Sequence, residues 1–412
     1  VKGRGSSVRT IRFLRLWCGN TASGLATWGL PFLLGYAVAE GEISPTTLGI
    51  LLAIRSVGFL AGVPLGGVHA DRQGSRKILL TSSLAAAAGT ALIWCGFVWI
   101  SPASIFVMYA GALLSGTGQG ACRPVYQSIV PFVVSRNDLQ QANAALSISV
   151  RASVLVGPAG ATLVAVQLGT AAAIAVLAVL WLLSAFAPPW PAGAAQASAS
   201  RTKAFTSDLF VGFIEARRHP WFFPTLIALS AVTATGYSVT NVLVPIISAE
   251  AYGGPTLLAG SVTAYMAGAL AGALATSWWH PKGRGSWALA GLATYAAVPL
   301  GLLAPDWFWL VMAAYALTGF GMELFNVIWF TAVQDQVEAD KLARVSSFDF
   351  IISYGLAPLG LSAVVPLTSI FGTNTVLLAT SIICLGAVLA ARAAPTTDTF
   401  RDKRYERRND HA

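Results

Sequence analysis

The feature that most constrains this chain is a succession of twelve apolar stretches, each long enough to cross a bilayer. A hydrocarbon core of ~30 Å needs about 20 apolar residues per helix. Stretches of that kind occupy 16–39, 47–69, 78–100, 105–127, 142–168, 170–187, 221–249, 256–279, 287–304, 308–333, 345–369 and 374–391. In lipid the backbone has to satisfy its own polar groups, so the stretches read as helices. Composition agrees: 55% of residues are hydrophobic and 10% charged, with mean hydropathy +0.67. A soluble domain carries about 25% charged residues. An ordinary soluble enzyme and a disordered chain are thereby excluded.

The longest connection, 188–220, opens PPWPAGAAQASAS and continues DLFVGFIEARRHP. Its first part has linker composition, and its second has the amphipathicity of a helix lying on a membrane surface. It separates a bundle of six spans at 1–187 from a second six at 221–391, with a basic tail at 392–412. The halves repeat. GFLAGVPLGG (58–67) resembles GALAGALATS (268–277), VGPAG (156–160) resembles LAPLG (356–360), and GTG (116–118) resembles GFG (319–321). The fold class expected is an all-α membrane protein, with twelve transmembrane helices in two pseudo-symmetric six-helix bundles. Such duplication is common in secondary transporters.

Charge sets the orientation. With both termini in the cytoplasm, the inside segments hold 23 of the 26 Lys and Arg and the outside segments none, while Glu40, Glu42, Glu250 and Asp306 lie outside. This is a positive-inside pattern. It explains the net charge of +9 without nucleic acid as a partner. The basic start, VKGRGSSVRTIRFLR, runs into a stretch longer than a signal-peptide core and is read as the first span. Cys18, Cys95, Cys122 and Cys384 lie in apolar stretches without CxxC spacing, so they read as packing residues, not as a metal site or a disulfide framework.

Between spans 2 and 3 the chain reads Gly67, Asp71, Arg72, Gly74, Arg76 and Lys77 within GVHADRQGSRK. The glycines permit close contact and a tight turn, the acid can face a positive helix end, and the basic residues hold the inner surface. This pattern resembles the signature loop of the major facilitator superfamily, and the resemblance covers essentially the whole chain. The matching loop of the second half, HPKGRGS, keeps the basic residues without the acid. Finer features resemble the bacterial twelve-span drug-efflux branch that includes macrolide and siderophore exporters: FLRLWCGNTASGLATWGLPFLL, LQQANAALSISVRASVLVGPAGA, FIEARRHPWF and ARVSSFDFIISYGLAPLG. The resemblance implies a drug:proton antiporter. Of the branch's span 5 motif, Gly157, Pro158 and Gly160 are present, while Ala144 and Ser153 replace upstream glycines. The usual arginine of span 4 falls on Gly116, and the acid often found in span 1 falls on Thr27.

Five charges lie inside spans: Arg55, Arg123, Arg151, Glu323 and Asp349. Ionisable groups at membrane depth are costly and generally face a cavity or a partner. Glu323 falls near the midplane of span 10 and is the candidate proton carrier, with Arg55 or Arg151 assisting; a static Glu–Arg pair is the alternative. Asp71 is expected to dock near the start of span 11, with Arg76 and Asp349 completing a charge cluster that exists only when the cytoplasmic side is closed. Arg123, Trp28, Tyr126, Tyr237, Asn241, Tyr265, Phe325, Asn326 and Trp329 are candidates to line an amphipathic pocket, or else packing residues. Trp94, Trp99, Trp278, Trp279, Trp307 and Trp309 fit an interfacial belt.

The function expected is export of an amphipathic small molecule, such as a drug, natural product or siderophore-like compound, by proton antiport with alternating access. A metabolite importer or facilitator, or a lipid flippase, is the alternative within transport; a membrane scaffold or enzyme stands outside it. No metal site and no cofactor are expected. The partners expected are substrate, protons and the lipid of a bacterial plasma (inner) membrane, around a monomer.

Overall fold

In the computed structural model the described residues are 7–99, 104–190, 212–254, 256–279, 281, 283–338 and 341–401. They form an all-α protein with two compact units, one of residues 1–212 with 337–348, the other of 213–336 with 349–412.

The first unit holds α1 (Ile11–Ala39), α2 (Pro45–Gln73), α3 (Ser75–Val98), α4 (Ser104–Ile129), α5 (Leu139–Leu168) and α6 (Thr170–Phe186). Local chemistry sets several ends. Thr10 caps α1 by accepting from the Phe13 amide at 3.4 Å, and Ser44 caps α2 through the Thr47 amide at 3.1 Å, with Pro45 at the first position. At Gly74 the backbone turns with φ +89°, so α3 starts directly after α2. The expected loop between spans 2 and 3 is therefore one residue, because glycine reverses the chain without a Cβ clash. Asp71 and Arg72 belong to the last turn of α2.

The second unit contains α7 (Phe222–Tyr252), continuous through a π turn at Val232–Tyr237, and α8 (Thr256–Trp278). α9 comprises Arg284–Ala293 and Ala297–Gly301, joined by a 3-10 turn at Thr294–Ala296, and α10 is Phe308–Gln336. α11 comprises Leu342–Gly355 and Ala357–Phe371; its first turns, through Phe348, belong to the first unit. α12 is Thr373–Arg392.

Eight of the twelve meet the length and hydropathy expected of a membrane span among the described residues. The other four are α4, α6, α9 and α11. α4 carries Ser115, Thr117, Gln119 and Arg123 along its length, α6 has 17 residues, and α9 and α11 are interrupted. Each still coincides with a predicted span.

The two units share one packing scheme, displaced by six helices. α2 packs on α4, α3 on α4 and α6, and α1 on α5 and α6; likewise α8 packs on α10, α9 on α10 and α12, and α7 on α11 and α12. Small residues let backbones meet. An added Cβ at Gly58 or Gly62 would overlap the Leu113 or Thr117 carbonyl of α4, and one at Gly116 or Gly120 the Arg55 or Phe59 carbonyl of α2. In the second unit Gly268 and Gly272 meet the Ala316 and Phe320 carbonyls, and Gly319 meets that of Tyr265. Without a hydrophobic drive between helices in lipid, this close fit holds the pairs together.

The repeats at 58–67 with 268–277, and at 116–118 with 319–321, are thus equivalent in three dimensions. The third pairing shifts by three residues. Gly157 meets the Leu25 carbonyl of α1, and its counterpart by contact is Gly360, which meets the Ala234 carbonyl of α7. The close approach at a glycine, not the neighbouring proline, defines the equivalence.

Most of the predicted linker, 191–211, lies outside the described residues, as does 402–412 of the tail. Residues 212–217 are helical. The start of the predicted tail is built into the second unit. Thr397 hydroxyl donates to the Ala394 carbonyl at 2.7 Å, the Ser286 amide donates to the Asp398 carbonyl at 3.0 Å, and Phe400 is 1% exposed.

Candidate functional site

The motif after span 2 is placed by the end of α2. Gly67 is buried, and an added Cβ there would overlap Ser347 and the Ala343 carbonyl at the start of α11, within the first unit. Ser347 hydroxyl donates to the Val63 carbonyl at 3.1 Å. The side chains of Asp71 and Arg72 lie outside the described set, and Lys77 is exposed.

Arg76 points inward from the first turn of α3. Its guanidinium donates to the Ala185 carbonyl at 2.8 Å and the Pro188 carbonyl at 3.0 Å, and lies 5.0 Å from the centre of the Trp190 ring. Arg15 donates to the Ala187 carbonyl at 2.8 Å. Two cations therefore cap the C-terminal end of α6, where the last carbonyls lack intrahelical donors. Asp349 has its described partners in the second unit. It accepts from Trp329 Nε1 at 3.2 Å and from the Ser353 hydroxyl at 3.2 Å, all within the second unit.

Near the centre of the first unit Arg55 reaches from α2 to two other helices. Its Nη2 donates to the Thr27 carbonyl of α1 at 2.8 Å and to Gln119 Oε1 of α4 at 2.6 Å. Its Nε is buried with no hydrogen-bond acceptor. Arg123 lies one turn beyond Gln119 and is half-buried, as is Arg151. Trp28, next to Thr27, is 37% exposed.

α1 and α5 are joined by a polar seam. Asn20 donates to Ser149 Oγ at 3.2 Å, the Thr21 and Ser149 hydroxyls are 2.7 Å apart, and Ser153 donates to the Thr21 carbonyl at 3.3 Å. Gly157 closes the same contact two turns on, and Pro158 follows within α5. Tyr126 is in the core, 5% exposed, with its hydroxyl 2.8 Å from that of Ser184.

In the second unit Glu323 stands sixteenth of the 29 residues of α10 and is 1% exposed. Its Cβ faces α8 at Gly272, 3.2 Å from where a Cβ on that glycine would sit. Phe325 and Trp329 do not line open space: they stack with ring centroids 5.8 Å apart and are 0% and 1% exposed. Trp221 and Phe222 join them, and Phe400 completes the cluster with its ring 5.0 Å from Trp221 and 5.9 Å from Trp329. Tyr237 and Asn241 are exposed, while Tyr265 and Asn326 are half-buried.

Of the pocket candidates, then, Tyr126, Phe325 and Trp329 are core, and the rest keep at least part of their surface. Sequence reasoning missed Thr27 as a partner of Arg55, because a main-chain acceptor leaves no residue-type signal. It also missed Phe400, an apolar residue in a polar setting. Among the described residues no group of three or more His, Cys, Asp or Glu could hold a metal ion.

Comparison with known proteins gives this geometry a setting. Several solved structures share the fold. The human organic anion transporter MFSD10 (TETRAN) superposes with TM-score 0.70 at 16% identity, covering 93% of this chain and 99% of its own. A bacterial homologue of the iron transporter ferroportin, in an outward-facing state with soaked iron, gives TM-score 0.70 at 13% identity, over 92% and 97%. The Escherichia coli fucose:proton symporter gives TM-score 0.69 at 14% identity, over 92% and 97%. No curated protein matches the sequence. The family description Major Facilitator Superfamily matches residues 16–359 and again 226–410. With the six-helix packing scheme repeated, its small-residue contacts in register, and the motif between α2 and α3 complete, the chain belongs to the major facilitator superfamily.

Proposed function

We propose that this chain exports an amphipathic small molecule in exchange for protons, by alternating access. Members of the superfamily are transporters, not enzymes, so the open questions concern substrate, direction and coupling. The observation that carries the reading is Glu323, a buried carboxyl group halfway along α10. A group that can gain and lose charge at membrane depth is suited to carry a proton, because either form must be accommodated there by its surroundings. The proton gradient supplies the energy, and no cofactor takes part. The Lys and Arg distribution supports cytoplasmic termini in a bacterial plasma membrane.

The test uses the Glu323→Gln variant in proteoliposomes under an imposed pH gradient. Gln has nearly the shape of the protonated acid. The variant is expected to fold, bind substrate and lose uphill transport. Continued accumulation of substrate against its gradient removes Glu323 as the carrier, whereas loss of folding favours a static structural pair.

A second reading, facilitated movement of a metabolite, is favoured by one observation. Where the antiporter motif has glycine, Ser153 is fully buried and hydrogen-bonded to the Ser149 carbonyl at 2.8 Å. Substrate flux independent of the pH gradient in the wild-type protein supports that reading.

A further inference from the structure

Among the described residues of the first unit, no acid pairs with the guanidinium of Arg55. Arg55 is tenth of the 22 residues in the apolar stretch Thr46–Gly67, so it sits near the middle of the bilayer. Its two partners, the Thr27 carbonyl and Gln119 Oε1, are neutral, and its buried Nε has no acceptor. The apolar stretches of α1 to α6 contain no Asp or Glu, so no carboxylate of these spans can reach it. The charge of Arg55 thus lies where an uncompensated charge is least well solvated.

From this geometry we infer that Arg55 is a binding group for an anionic substituent of the substrate, a carboxylate, sulfonate or phosphate. The inference rests on the transport reading above and narrows its substrate class to amphipathic anions. Thr27 and Gln119 take the hydrogens of Nη2 and hold the guanidinium between α1 and α4, leaving Nε without an acceptor. A guanidinium recognises such oxyanions through charge and directed hydrogen bonds together. Trp28 stands beside Thr27 on α1, is 37% exposed, and supplies apolar surface for the body of an amphipathic molecule. Lysine at position 55 keeps the charge and loses the fork, and glutamine loses the charge.

The test is equilibrium binding of three probes with one fluorophore to the purified full chain in lipid nanodiscs. Dansylglycine is anionic, its methyl ester is neutral, and dansylcadaverine is cationic. The wild-type protein is expected to bind dansylglycine at least tenfold more tightly than either of the others. In Arg55→Gln that preference disappears while the ester is still bound, which also shows that the variant is folded. Arg55→Lys keeps a reduced preference. A wild-type protein without preference for the anion overturns the inference, and so does a preference that survives Arg55→Gln. Binding is measured at equal pH on both sides. Failure of proton coupling at Glu323 therefore leaves this result untouched, and failure here leaves the pH-gradient experiment intact.

Discussion

At the scale of single residues, the charges divide by whether their partners could be read in advance. Glu323 stands out because it is the sole acid in its span, and its place halfway along α10 follows from position alone. Arg76 belongs to a complete motif, yet what it touches is set by the α6 end, a feature of tertiary structure that no spacing reveals. Within the first unit the Ala185 and Pro188 carbonyls accept from it. Hydrogen bonds to a charged group contribute about 1.5–3 kcal/mol each, so Arg76→Ala is expected to lower stability by roughly 2 kcal/mol or more. Thermal unfolding in detergent measures it. An unchanged Tm assigns Arg76 to the moving parts alone. Arg15, which donates to Ala187 from the exposed side, is expected to matter less because water competes for the same carbonyl.

At the scale of elements, hydropathy located all twelve helices because apolar length is a property of each segment taken alone. It did not find the π turn at Val232–Tyr237 or the breaks at Thr294–Ala296 and Leu356, which depend on what each helix packs against. Gly236 shows why: a Cβ there would crowd the ring of Tyr295. The glycine repeats were legible as sequence, but their meaning as carbonyl contacts emerges only when α2 meets α4 and α8 meets α10. Gly62 gives the sharpest test, since any side chain would overlap the Thr117 carbonyl. Overpacking costs about 1–3 kcal/mol, more where backbone must yield, so Gly62→Leu is expected to separate α2 from α4 and disturb Arg55 with them. Cross-linking between cysteines placed on these two helices is expected to fall sharply in that variant. Cross-linking at the wild-type rate shows that the backbones can part without harm.

At the scale of the whole molecule, the all-α fold and its duplication were legible, because both rest on patterns repeated many times along the chain. Orientation rests on the same kind of summed signal. Cysteines at Ser198 and Thr46 are expected to label from opposite faces of intact cells, with position 46 accessible from outside and 198 protected. The reverse pattern inverts the topology. The chain beyond α12 was not legible, since its composition is that of a solvated tail. There Phe400, with φ +53°, completes a cluster with Trp221, just before α7, and Trp329 of α10. That arrangement bears on how the protein is made. Synthesis delivers Trp221 long before Phe400, so insertion of the last six helices and completion of their aromatic core are separate events in time. Until residue 400 has been made, the cluster lacks its last ring.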